Sequence, residues 1–197
     1  MTVSETVKPS SWVCRFAPLV VPGGEVLDVA CGGGRHARHF LTRGHPVVCL
    51  DRDVTGVADL ALLARVEIIT ADLEGDGPWP LAGRTFAGII VVNYLHRPIL
   101  PLLVDALAPG GVLVYETFGQ GNERFGRPRR PQYLLRPGEL LDMGRGRLQV
   151  VAYEHGVAAG NSRSKVVQRL CAVNDLGTVA RKDADPNPHS IDPPTGE

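Results

Sequence analysis

Residues 26–41 constrain this chain more than any other stretch. Val26-Leu27-Asp28-Val29 is a short apolar and β-branched run, Ala30-Cys31-Gly32-Gly33-Gly34 is a turn of small residues, and Ala37, Phe40 and Leu41 then recur at helical spacing. A strand that turns through glycines into a helix opens a βαβ unit, and repeated units build a sheet covered by helices on both faces. Glycines without Cβ let a ligand approach the backbone, and the start of the helix offers unpaired N–H groups. A carboxylate or a phosphate fits such a turn equally.

The same pattern repeats downstream. Gly44 ends the helix, Pro46 prevents its resumption, and a second strand over 47–50 leads to Asp51. Thr55 caps a short helix over 55–64, and a third strand over 66–70 ends at Ala71-Asp72-Leu73. The Gly- and Pro-rich stretch 75–83 leaves little room for a crossover helix. A nearly continuous apolar run over 86–92 reads as a central strand buried on both faces, with Asn93-Tyr94-Leu95-His96 at its end. Pro98 suits the first turn of a helix that Pro109-Gly110-Gly111 stops, and 112–117 is strand five. A helical turn over 138–143 and two strands over 148–153 and 166–173, joined near Gly160-Asn161, complete the pattern. The expected fold is α/β: a doubly wound, Rossmann-like, mostly parallel seven-stranded sheet with an antiparallel C-terminal edge. The domain spans 1–174. Residues 175–197, with Pro186, Pro188, Pro193 and Pro194, lack an apolar period and read as a disordered tail.

Charge excludes little but directs attention inward. Twenty-one basic and 21 acidic residues cancel, so no global field draws the protein to nucleic acid or anionic lipid. No apolar run approaches the roughly 20 residues of a bilayer span, and residues 1–10 lack the apolar core of a signal peptide, so cytoplasmic residence is expected. Cys14, Cys31, Cys49 and Cys171 stand apart without a C-x-x-C pair, which argues for buried thiols rather than zinc ligands or disulfides. Nothing in the sequence requires a metal.

The acids discriminate where the glycines do not. Gly32-x-Gly34-x-x-Ala37 satisfies a dinucleotide fingerprint, so the turn alone leaves an NAD-dependent oxidoreductase open. Asp28, however, lies inside the strand, where burial demands a partner for its carboxylate. An ammonium group of an amino-acid ligand, or donors of the turn itself, would supply one. Asp51 follows the turn by about 20 residues, in place to accept ribose hydroxyls. Asp72 ends the next strand, where it can accept from an exocyclic amine.

Together with Pro109-Gly110-Gly111, these motifs resemble those of class I methyltransferases dependent on S-adenosylmethionine (SAM), over roughly 12–173. The Gly34-Arg35-His36 continuation is similar to small bacterial enzymes of the tellurite-resistance type. The resemblance implies that SAM is the cofactor, that Asp28, Gly32 and Gly34 hold its methionine part with His36 nearby, that Asp51 takes the ribose, and that Asp72 and the Leu73 backbone take the adenine. It places Asn93 beside the methyl donor and Trp12 across the site. The short link between strands three and four departs from larger members and leaves adenine packing around 73–79 open.

The implied activity is transfer of the SAM methyl group to a small-molecule acceptor by SN2 displacement. Tyr94, His96 and Glu116 follow strands four and five and are the substrate-side candidates for orienting a nucleophile or taking its proton. SAM carries a good leaving group, so positioning alone can suffice. Arg124, Arg127, Arg129, Arg130, Arg136, Arg145 and Arg147 form a local cationic run. It fits an anionic acceptor, or RNA as the lesser reading, since only Phe125 and Tyr133 interleave it. The 118–137 segment is expected to close over the site as a mobile lid. A SAM-binding regulatory or assembly protein without turnover is the remaining alternative.

Overall fold

The computed structural model describes residues 8–160, 163–176 and 187–192. Seven strands form one sheet in the order β3-β2-β1-β4-β5-β7-β6. They are β1 (Val26–Val29), β2 (Val47–Asp51), β3 (Val66–Thr70), β4 (Phe86–Val92), β5 (Leu107–Phe118), β6 (Gln149–Ala158) and β7 (Lys165–Val173). β1 to β5 pair in parallel, β7 pairs antiparallel to both β5 and β6, and so the expected hairpin closes the C-terminal edge. Within it β7 alone runs against the rest.

The continuous apolar runs become strands because alternate residues feed two cores. On one face Leu27, Leu50, Ile89, Val91, Leu113 and Tyr115 pack against α3 (Leu100–Asp105) and α4 (Glu139–Gly144). The other face carries Val26, Cys49, Ile90 and Val114 beneath α1 (Ser11–Phe16) and α2 (Arg35–Thr42). Cys31, Cys49 and Cys171 are buried free thiols and Cys14 is half-buried, as their spacing predicts.

Several local expectations are corrected. Thr55 does not cap an α-helix: Val54 precedes a 3-10 helix over Thr55–Leu62, and the Thr55 hydroxyl and N–H both donate to Asp53 Oδ1, at 2.7 and 3.0 Å. Pro109-Gly110-Gly111 lies within the β5 span at a register irregularity opposite Phe86/Gly88. Gly111 is required there, because a Cβ would come within 2.8 Å of the Ala108 and Phe86 carbonyl oxygens.

Trp12 does not lie across the cleft. It is 2% exposed, stacks edge-on against Phe16, and donates its indole N–H to the Leu170 carbonyl at 3.2 Å. Burial of so large an apolar surface between α1 and the sheet outweighs any exposed placement. His39 is half-buried against Phe40.

Much of the expected tail, 177–186 and 193–197, lies outside the described residues. Its described part is held: Arg15 donates to the Ile191 carbonyl, and His189 Nε2 meets Asp175 Oδ2 at 2.7 Å.

Candidate functional site

The carboxyl ends of the central strands meet in one cleft, the place where open α/β sheets bind ligands. The turn after β1 shapes its floor. Gly32 and Gly34 take φ of +53° and +70°, values that favour glycine, and at Gly34 a Cβ would strike Val57 Cγ1 at 2.4 Å. Gly56, in the 3-10 helix, packs directly on the turn: its Cβ would sit 2.9 Å from Gly33 Cα. The open side of Gly32 and Gly33 has no neighbour within 4 Å of an added Cβ. Packing thus presses the turn from behind and leaves its front bare for a ligand.

Asp51, at the end of β2, buttresses this floor. Its Oδ2 accepts the Gly32 N–H at 2.8 Å and its Oδ1 the Asp53 N–H at 3.0 Å, which leaves the remaining lone pairs free to accept from a ligand. Asp72 follows β3 and fixes the next turn by accepting the Glu74 N–H at 3.0 Å. Asp51, Asp72, Leu73 and Tyr94 line an open cleft of about 580 Å³, solvent included, with Ala30, Arg52, Ala71 and Glu74.

Tyr94 therefore stands in the cleft with the β2 and β3 acids. Burial and the neighbouring carboxylates, Glu74 first, hold its phenol well above the ordinary range, so at neutral pH it is a hydroxyl donor and no base. Arg52 and Glu74 were not singled out from the sequence. Their adjacency to Asp51 and Asp72 was the available signal.

Asp28 is 1% exposed on β1 and accepts the Ala37 N–H of α2 at 3.0 Å, so its partner is a donor just beyond the turn. Burial pushes its carboxyl up to about 7, against the pull of that N–H. His36, in the first turn of α2, presents Nδ1 3.9 Å from Asp28 Oδ1. Burial and then the Arg35 charge push this imidazole down to about 3, so it is neutral. Its Nε2 accepts the Ser10 N–H at 3.2 Å, which assigns the ring proton to Nδ1, facing Asp28.

Asn93 has φ +60° just past β4, a conformation asparagine tolerates, and is exposed, while its N–H donates to the Glu116 carbonyl at 2.8 Å. His96 is half-buried ahead of α3.

Glu116 is not a free base. It is 3% exposed and takes Lys165 Nζ at 2.9 Å, Arg169 Nε at 3.0 Å and the Ser10 hydroxyl at 2.9 Å. Burial raises its pKa, but Lys165, Arg169 and Ser10 together outweigh burial and keep the carboxyl below its ordinary value. A carboxylate held by three donors, two of them cations, is a weak base.

The arginine run divides. Arg136, Arg145 and Arg147 pair with Glu139, Asp142 and Asp105, whereas Arg124, Arg127, Arg129 and Arg130 are exposed on the segment between β5 and α4. The base of that segment is fixed. Gln120 N–H donates to Leu135, Leu135 N–H to Phe118, and Asn122 is buried with its Oδ1 on the Val166 N–H. Arg97 clamps the far side, reaching Glu139 at 2.6 and 3.0 Å and the Gln132 and Leu134 carbonyls at 2.8 and 2.9 Å. These bonds tie down both ends of 118–137, while much of its middle, the four arginines included, is exposed.

The strand order, with antiparallel β7 inserted between β5 and β6, separates this sheet from the 3-2-1-4-5-6 order of dinucleotide-binding sheets. The fold is that of the class I SAM-dependent methyltransferases. TehB from Haemophilus influenzae superposes with a TM-score of 0.67 at 14% identity, covering 82% of this chain and 61% of TehB. The Burkholderia thailandensis 1,6-didemethyltoxoflavin-N1-methyltransferase, solved with 1,6-didemethyltoxoflavin and S-adenosylhomocysteine bound, gives 0.62 at 22% identity over 83% of this chain and 76% of that one.

In sequence, trans-aconitate 2-methyltransferase of Sinorhizobium fredii is 30% identical over 155 residues, 76% of this chain and 52% of the relative. The chain thus spans about half the length of the curated relative it matches. No family model matches the sequence. Among the described residues no helix of this methyltransferase fold is long and apolar enough to cross a membrane.

Proposed function

We propose that the protein binds SAM in this cleft and transfers its methyl group to a small-molecule acceptor. The observation that carries the reading is the joint placement of Asp51 and Asp72 at the ends of adjacent strands beside a bare glycine turn, in one cleft. Asp28, Gly32 and Gly34, with His36 behind them, would hold the methionine part, Asp51 the ribose, Asp72 and the Leu73 backbone the adenine, and Asn93 would face the methyl donor. The residues fit the cofactor chemically: carboxylates offer acceptors to hydroxyls and an ammonium, and the bare front of the glycine turn leaves room for the ligand to approach the backbone.

When bound, SAM supplies an activated methyl group on a sulfonium that leaves readily. The protein's part is then to align the acceptor and exclude water. With Glu116 and Tyr94 unsuited as bases, His96 is the remaining substrate-side candidate. Incubation with methyl-labelled SAM and a pool of small acceptors tests the reading. A labelled product is expected; SAM binding without turnover over a broad acceptor screen would instead favour a regulatory or assembly protein.

An anionic acceptor is favoured by the exposed Arg124, Arg127, Arg129 and Arg130 and by the relative's name, which specifies trans-aconitate. Substituting Arg129 and Arg130 together by alanine is expected to raise the acceptor's KM while SAM affinity holds. An unchanged KM would assign these arginines to solvent or, if RNA is retained less well, to nucleic acid.

A further inference from the structure

Ser10 ties together His36 and Glu116, which the chain separates by 80 residues. Every polar atom of this residue is engaged: N–H to His36 Nε2 at 3.2 Å, O–H to Glu116 Oε2 at 2.9 Å, Oγ from the Trp12 N–H at 3.2 Å, and carbonyl from the Cys14 N–H at 2.9 Å. The last two bonds are those of an ordinary serine N-cap on α1. The first two are not needed for capping. They join the N-terminal segment to α2, beside the glycine turn, and to β5, on the acceptor side.

A second tie reinforces the first, since Arg35 Nη1 donates to the Lys8 carbonyl at 3.3 Å. At the far end Glu116 is anchored by Lys165 and Arg169, and Arg169 also binds Glu154 at 2.8 Å. The result is a line of polar groups, Asp28, His36, Ser10 and Glu116, running from the cofactor turn to β7. The His36–Ser10 and Ser10–Glu116 links each have a fixed donor and acceptor, and Asp28 faces the His36 ring at 3.9 Å.

We propose that Ser10 is a positioning residue that holds the N-terminal segment, through His36 and Glu116, across the amino-acid end of the cofactor site and so slows cofactor release. The inference rests on the SAM reading. It also gives buried Glu116 a task in the site: it is the anchor of the strap.

Ser10→Gly provides the test, because glycine is tolerated at an N-cap nearly as well as threonine yet removes the hydroxyl that reaches Glu116. In stopped-flow displacement of S-adenosylhomocysteine from the full chain, Ser10→Gly is expected to release the ligand about tenfold faster, equivalent to about 1.4 kcal/mol. Ser10→Thr, which keeps the hydroxyl, is expected to stay within about twofold of wild type by the same measure.

Hydrogen exchange gives a readout that folding alone does not move. The ligand is expected to protect the amides of 11–16 in wild type and to protect them much less in Ser10→Gly. Equal release rates and equal protection in wild type and Ser10→Gly would overturn the strap. Absence of S-adenosylhomocysteine binding by the wild type would instead overturn the cofactor reading on which it rests.

Discussion

Asp28 carries the sharpest consequence at the residue scale. Its carboxyl titrates near 7 because burial disfavours the charge and the Ala37 N–H only partly offsets that cost. A ligand ammonium beside it favours the carboxylate, so binding releases a proton wherever Asp28 is protonated. S-adenosylhomocysteine affinity is therefore expected to fall as pH drops from 8 to 6, approaching tenfold per unit below 7, as titration calorimetry would show. Asp28→Asn keeps an acceptor for Ala37 and should flatten that profile; a wild-type profile flat over the same range would contradict the assignment. The stability sign is opposite. A folded-state pKa above the unfolded value of about 4 gives a contribution fully present below pH 4 and lost as pH rises through 7, so the unliganded Asp28→Asn variant should gain on the order of 2–4 kcal/mol at pH 8.

At the scale of elements, the segment between β5 and α4 shows what the sequence could and could not convey. Strands β1 to β5 and the hairpin were legible because their apolar runs are long and bounded by glycine and proline, as at Gly44-x-Pro46. The segment 118–137 was not, because nothing local marks Leu134 and Leu135 as buried or Arg97 as their clamp, some forty residues upstream of Glu139. Arg97→Ala leaves the 9%-exposed Glu139 carboxylate without its bidentate partner. Because Arg97 is about a third exposed, the cost is screened, and a loss of about 1–3 kcal/mol is expected in denaturant unfolding. Exchange at the Gln120 and Leu135 amides should quicken while S-adenosylhomocysteine affinity stays constant. Unchanged exchange there would show that the base of the segment holds without the clamp.

For the whole molecule, the acids at the strand ends were readable because the βαβ repeat fixes where each strand stops, so Asp51 and Asp72 could be assigned to one cleft before any coordinates. Side-chain direction was not readable. Glu116 and Trp12 occupy the expected places in the chain but point into an ion network and a core, since their long-range partners Arg169, Lys165 and Leu170 leave no local trace in sequence. The central claim is that this sheet presents a SAM site centred on Asp51, and calorimetric binding of S-adenosylhomocysteine to wild type and Asp51→Ala tests it most directly. Wild type is expected to bind, and Asp51→Ala to bind more weakly by about 1–3 kcal/mol, the scale of hydrogen bonds to a charged acceptor, while both remain folded. Equal affinity in the two folded proteins, or no binding by wild type, would contradict the account.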